Sequence, residues 1–158
     1  MKQRRTLEQR FLLRFPKLGG VINAAVLRLP TASRMRRMFV TRGFRTAYEA
    51  FSRGDFEAAF AQLHPEVEWH TPQSFPDAEV LKGRDAVLEW YGRHWVSSWK
   101  WWESEAEEII DRGDGTFVIH AVTRGRGRAS GIDVELRDTD IYEMRRGLAV
   151  RVRELDER

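Results

Sequence analysis

The stretch Gly131–Met144 constrains the fold most. Every second residue gives Ile132, Val134, Leu136, Asp138, Asp140, Tyr142 and Met144, and between them lie Asp133, Glu135, Arg137, Thr139, Ile141 and Glu143. A period of two this regular belongs to a β-strand with one face on an apolar interior and the other in water. Asp138 and Asp140 fall on the apolar side, where an ionised carboxylate is costly unless something answers it. Two acids on one face of a dry pocket compete for charge. One pKa then rises, which sets a proton donor beside a proton acceptor. The structural alternative is that this end of the strand reaches a rim, or that arginines such as Arg151 or Arg153 pair with the acids.

The rest of the C-terminal half follows the same texture. Trp99–Asp111 reads as a long strand, the glycine-rich 111–115 as a hairpin turn, and Thr116–Thr123 as the returning strand. Arg124–Gly131 is expected as a turn, followed by the acid-bearing strand, a tight turn at 145–147 and a last strand, Leu148–Glu154. Upstream the period changes to helical. Phe44, Ala47, Tyr48 and Phe51 share one face; Asp55 is placed to cap a short helix, Phe56–Leu63, which His64-Pro65 stops. Glu66–Thr71 alternates as a strand, Pro72–Gly83 is a loop holding Pro72 and Pro76, and Arg84–Trp95 is a third helix. The order α-α-β-α-β-β-β-β, helices early and a meander late, makes an α+β fold.

Residues 1–40 form a separate basic, amphipathic helical extension in this reading, and residues 41–158 the domain proper. The expected helical pieces break at Pro16 and at Gly19-Gly20 and stop at Pro30, with Thr31 or Ser33 capping a following turn. Charge is strongly asymmetric: residues 1–45 carry twelve Lys/Arg and one acid, net +11, and residues 46–158 are net −8. Such an arm fits packing on its own domain or on a second subunit, or peripheral contact with a membrane or other anionic partner. With no cysteine in the 158 residues, disulfides, a thiol nucleophile and cysteine-ligated metals are excluded. The longest uncharged N-terminal run, Leu18–Leu27, is too short to span a bilayer, and Arg14 and Lys17 interrupt the one stretch resembling a signal core. A cytoplasmic protein is the expectation.

The segments Ala47–Phe60 (AYEAFSRGDFEAAF) and Leu63–Trp69 (LHPEVEW) resemble the NTF2-like superfamily, and within it the SnoaL-like proteins. Leu81–Tyr91, Ile110–Asp114 and Ala129–Leu136 extend the likeness over about residues 41–155. The resemblance implies a cone-shaped barrel, a curved antiparallel sheet wrapping three helices around a pocket. It also implies a family that includes ketosteroid isomerases, polyketide cyclases, epoxide hydrolases and catalytically inert binding domains. Against the isomerases, Asp140 falls on the protonated aspartic acid of the oxyanion hole and Tyr91 on a supporting tyrosine. Their general base falls at Trp69 or His70, and their oxyanion tyrosine near Ala47, one residue from Tyr48. Against the epoxide hydrolases, Glu154 matches one acid, with no Arg-x-Asp partner on Thr116–Thr123. Polyketide cyclases pair an Asp with a His, which Asp140 and His120 would supply.

The candidate catalytic residues are therefore Asp140, Asp138 and His120, with Tyr48, Trp69, Tyr91, Trp95 and Tyr142 as ligand-binding aromatics. The structural alternative for each aromatic is plain core packing. Trp99, Trp101 and Trp102 differ, since strict alternation sets Trp102 opposite the other two; at least one exposed tryptophan would suit a homodimer through the sheet. His64, His70, His94 and His120 lack metal-ligand spacing, so no metal is expected. Arg124, Arg126 and Arg128 sit in an expected turn, and no nucleic-acid role is assigned to them. Two functions fit these residues. One is a pocket for a small apolar molecule, with cofactor-free acid–base chemistry of isomerase, cyclase or epoxide-hydrolase type. The other is a non-catalytic dimerisation or binding module whose basic arm recruits an anionic partner or membrane surface.

Overall fold

The computed structural model describes residues 4–73 and 79–156; Pro76 of the expected loop lies outside them. Three helices come first: α1 (Leu7–Arg14), α2 (Pro16–Leu27) and α3 (Arg34–Ser52). The short α4 (Phe56–Ala59), capped by Asp55 as expected, leads into β1 (Leu63–His70) and β2 (Val80–Lys82). Then α5 (Arg84–Trp90) passes through one π-helical turn, Tyr91–Trp95, into α6 (Val96–Ser98). The long strands β3 (Trp99–Asp111), β4 (Thr116–Gly127), β5 (Asp133–Arg145) and β6 (Leu148–Asp156) close the chain. The six strands form one curved sheet in the order β2-β1-β6-β5-β4-β3, wrapped around the helices as an α+β cone. One pair departs from the expected antiparallel sheet: β1 runs parallel to β6, with Trp69 beside Val152.

Several boundaries move for identifiable reasons. The strand β4 continues to Gly127, through the expected turn, because Arg124 and Arg126 pair across to β5. Arg124 binds Glu135 at 2.9 Å, and Arg126 grips Asp133 with two bonds of 2.7 and 2.8 Å. A bulge between Trp99 and Trp101 shifts the phase of β3. Trp99 is therefore buried and Trp102 also turns inward, donating its indole N–H to the Phe51 carbonyl at 3.0 Å, while Trp101 remains 47% exposed. Strict alternation, which grouped Trp99 with Trp101, fails at that one extra residue.

The N-terminal helices fold onto the cone. Pro16 starts α2, but Gly19 and Gly20 do not break it; they are buried within it. It is the glycine on the other side that lets α2 approach the β5–β6 turn: Gly147 has φ +78°, and a Cβ there would lie 1.9 Å from the Gly20 carbonyl oxygen, while a Cβ at Gly19 would meet Leu12 at 2.6 Å. Asn23 donates to the Gly147 carbonyl at 3.1 Å and also bonds Gln62. Ser33 caps α3, which then runs unbroken past Thr41. At its start the buried Arg36 donates to Asp111 through two bonds of 2.7 and 2.8 Å and to the carbonyls of Leu27 and Leu29 at 2.6 and 2.7 Å. One guanidinium thus closes the end of α2 and ties it to the β3–β4 hairpin. Farther out, Arg5 grips Asp55 at 2.6 and 2.8 Å, and Arg42 pairs with Glu8 at 2.9 Å. No helix among the described residues is long and apolar enough to cross a membrane.

Arg36→Met removes one partner of a buried ion pair and strands two carbonyls. It is expected to cost about 3 kcal/mol of stability, read as a lowered urea midpoint with the far-ultraviolet spectrum retained.

Candidate functional site

The alternation on β5 persists in the structure. Asp140 is buried at 5% exposure, Asp138 is half-buried on the same face, and Thr139 takes the other. Across the sheet Asp140 stands opposite Ile119 on β4 and Glu154 on β6; Asp138 stands opposite Ala121 and Asp156. Directly opposed residues on antiparallel strands share a face, so Asp140 and Glu154 project side by side into the cone.

There they line a cavity of about 250 Å³. Its walls are mostly aromatic. Tyr48 and Phe51 come from α3, Phe60 from the loop after α4, Trp69 from β1, Tyr91 and Trp95 from the π-helical turn, and Tyr142 from β5. The wider π turn lets Tyr91 and Trp95 both face inward, 5.9 Å apart between ring centres. Glu135, Arg137, Asp138 and Asp156 supply polar groups to the lining.

Each carboxyl at the bottom has its own phenol: Tyr48 hydrogen-bonds Asp140 and Tyr91 hydrogen-bonds Glu154. The remaining oxygens, Oδ1 of Asp140 and Oε2 of Glu154, are buried with no hydrogen-bond partner among the described residues. Burial raises the Asp140 pKa from 3.8 to about 6, opposed by the hydroxyl of Tyr48. Glu154 is pushed well above the usual carboxylate range, first by burial and then by the charge of Asp140, with Tyr91 opposing. The Trp69 indole also opposes that rise, although its N–H completes no full hydrogen bond. Burial and the adjacent carboxylates push Tyr48, Tyr91 and Tyr142 well above the ordinary phenol value. All three remain protonated at neutral pH.

All five sequence-derived aromatics, Tyr48, Trp69, Tyr91, Trp95 and Tyr142, line this cavity together with Asp138 and Asp140. His120 does not. It sits opposite Thr139, bonds the Thr139 hydroxyl at 2.9 Å, and so occupies the face of β4 turned away from both acids. Arg151 and Arg153 also lie outside, within 3.3–3.8 Å of Glu68 and Glu143, and leave the buried acids alone. Glu154, reached in the sequence only through the epoxide hydrolase likeness, is the main addition. Its signal was the same as that of Asp140: β6 alternates Val152 and Glu154 inward with Arg151 and Arg153 outward. Among the described residues no cluster of acids and histidines forms a metal site.

A curved sheet wrapped on helices with acids at the bottom of an aromatic cavity defines an NTF2-like α+β cone. Residues 44–152 match the SnoaL-like domain family, and the chain belongs to it. The fold is similar to that of an NTF2-like protein of unknown function from Burkholderia pseudomallei, with TM-score 0.64 and 23% identity over 76% of this chain and 89% of that one. It is also similar to TerC, co-crystallised with polyporic acid, with TM-score 0.61 and 22% identity over 70% and 85%. A third similar structure is a protein from Jannaschia sp. CCS1 described as a SnoaL-like polyketide cyclase, with TM-score 0.59 and 16% identity over 75% and 82%. No curated protein matches the chain significantly.

A raised carboxyl pKa is a stability statement. Between the unfolded value of 3.8 and the folded value of about 6 the native state holds a proton that the unfolded chain has released. The contribution of Asp140 is thus fully present below the lower value and lost as pH rises through the upper one. Asp140→Asn keeps the shape without the charge. It is expected to be more stable than the parent at pH 7.5 by up to about 3 kcal/mol, an advantage that disappears near pH 4. Urea unfolding at the two pH values measures it.

Proposed function

We propose that the aromatic cavity binds a small, largely apolar molecule bearing an oxygen function, and that Asp140 and Glu154 move a proton on it. The observation that carries this reading is the bare, buried Oδ1 of Asp140 beside a second bare acid, at the bottom of a cavity of about 250 Å³. A pair of acids whose environments push their pKa values apart divides the work of base and acid. At neutral pH Asp140, with a pKa of about 6, is largely ionised, and Glu154, pushed well above its ordinary value by burial and by the charge of Asp140, is the partner that donates. Asp140 then takes a proton from an activated carbon through Oδ1. The developing oxyanion accepts a hydrogen bond from the Glu154 carboxyl, and return of the proton to a different carbon completes an isomerisation. Ring closure or dehydration of a related compound draws on the same two groups. Each step is proton movement by side chains of this chain, and the proposal requires no cofactor. The co-crystallisation of TerC with polyporic acid and the description of the Jannaschia protein as a cyclase support an organic ligand for this fold.

The test is a panel of cyclic enones and polyketide-like diketones, with binding read from quenching of the cavity tryptophans Trp69 and Trp95. Turnover is expected to rise with pH through an apparent pKa near 6. Asp140→Asn is expected to lose about 10²–10⁴-fold in kcat with binding changed only a few-fold. Tyr48→Phe removes the hydrogen bond that favours the Asp140 carboxylate, so its pH profile is expected to move to higher pH. Ligands that bind without turnover across the whole panel would instead establish a binding module.

A further inference from the structure

Helix α2 is apolar on the side turned to solvent as well as on the side turned to the cone. Its inner face is Gly19, Gly20, Asn23 and Leu27, docked on the β5–β6 turn and on Gln62. Its outer face carries Leu18, Val21 and Ile22, exposed at 47, 63 and 38%, continued by Phe15 at 50%. A helix apolar all round is one that something covers. Its own domain covers only half of this one.

Charge identifies the covering surface. The row Lys17, Val21, Ala25 and Arg28 runs along one exposed flank of α2, so cations bracket the apolar strip at both ends. Arg5, Arg36 and Arg42 of the N-terminal helices are neutralised by carboxylates of this chain. Arg14, Lys17, Arg28, Arg34 and Arg37 are exposed and have no carboxylate partner among the described residues. A second copy seated two-fold on the same face would set the cations that flank it, Lys17 and Arg28, against the same cations of the other copy, since a symmetric contact presents one patch to itself. A bilayer with anionic headgroups satisfies both features at once: acyl chains receive Leu18, Val21 and Ile22, and headgroups receive the cations.

We infer that the outer face of α2 is a docking surface for anionic lipid, held ready by the anchoring of the helix to the cone. The surface is preformed. Arg36 on Asp111, Asn23 on Gly147 and the buried glycines fix the orientation of the helix before any membrane is met. The inference is independent of the chemistry in the cavity, which lies between the helices and the inner face of the sheet.

The full chain is mixed with phosphatidylcholine vesicles, with and without about one-third phosphatidylglycerol, and pelleted at low and high salt. Binding is expected only with the anionic lipid, and is expected to weaken as salt screens the headgroups. The pair Val21→Glu with Ile22→Glu, and separately Lys17→Glu with Arg28→Glu, are each expected to lower vesicle affinity at least about tenfold. All four positions are exposed, and an unchanged circular dichroism spectrum and melting temperature confirm that the fold is kept. Val21→Ala is expected to bind within a few-fold of the parent. The inference is overturned by absence of binding to anionic vesicles, or by equal binding to neutral ones. It is equally overturned if the glutamate variants change the sedimenting mass and leave vesicle binding intact, which would assign the face to a second copy.

Discussion

Two carboxyl groups opposed across neighbouring strands, inside a cone that holds almost no counter-charge, are the constraint on which the remaining structure depends. Asp140 and Glu154 receive one phenol each and, among the described residues, no ion pair with a cation. Leaving acids bare in this way destabilises the fold, and a chain of this size has only a modest margin to absorb it. The aromatic packing behind them supplies the compensation. Phe51, Phe56, Phe60, Tyr91, Trp95 and Trp102 form a continuous set of ring contacts, most at 5–6 Å between centres. Rings positioned this well add to plain area burial. The same rings exclude water from the acids, so the packing that stabilises the fold also sustains the raised pKa values.

The N-terminal helices belong to this scheme through α3. That helix contributes Tyr48 and Phe51 to the cavity in its second half and Arg36 to the anchoring of α2 in its first. Phe44, between them, packs edge-on to Tyr142, which lines the cavity next to Asp140. A second, apolar cavity of about 140 Å³ is lined by residues of α1, α2, α3 and the cone and shares Ala47, Ala59, Phe60 and Tyr142 with the first. The basic segment is therefore built into the domain as a fourth wall, with its charge divided between internal ion pairs and a free outer face.

Much of this was legible because β-strands write their two faces into alternate residues. Asp138, Asp140 and Tyr142 could be read as inward from the pattern of one strand, and Val67, Trp69 and Thr71 likewise. The method fails where one residue is inserted: the bulge after Trp99 brings Trp102 to the same side as Trp99 and leaves Trp101 outside. It also fails where pairing outruns turn chemistry, as when the ion pairs of Arg124 and Arg126 extend β4 through a glycine-rich stretch. Gly19-Gly20 looked like a break because glycine weakens isolated helices. In the folded chain both are buried inside α2, which packs against Leu12 and Gln62 at Gly19 and against the backbone of Gly147 at Gly20. The position of His120 needed the register of β4 against β5, which no single-strand pattern contains.

The neighbour relation of Asp140 and Glu154 belongs to that same class of information. Asp140 was visible on the dry side of its own strand and Glu154 only through a family likeness, and only the β5–β6 register sets them opposite each other. An isolated buried carboxyl with a pKa near 6 is a base at neutral pH and nothing more. When it ionises, its charge raises the neighbouring acid further, so that the base makes its own proton donor harder to ionise. The pair is therefore unequal, with Asp140 raised to about 6 by burial and Glu154 raised well above its ordinary value by burial and by the charge of Asp140. In a cavity with aromatic walls that inequality needs no outside charge to maintain it. The sheet register, fixed by the turn at Arg145–Gly147 and the inward alternation of both strands, is what sets two costly side chains beside each other in one cavity.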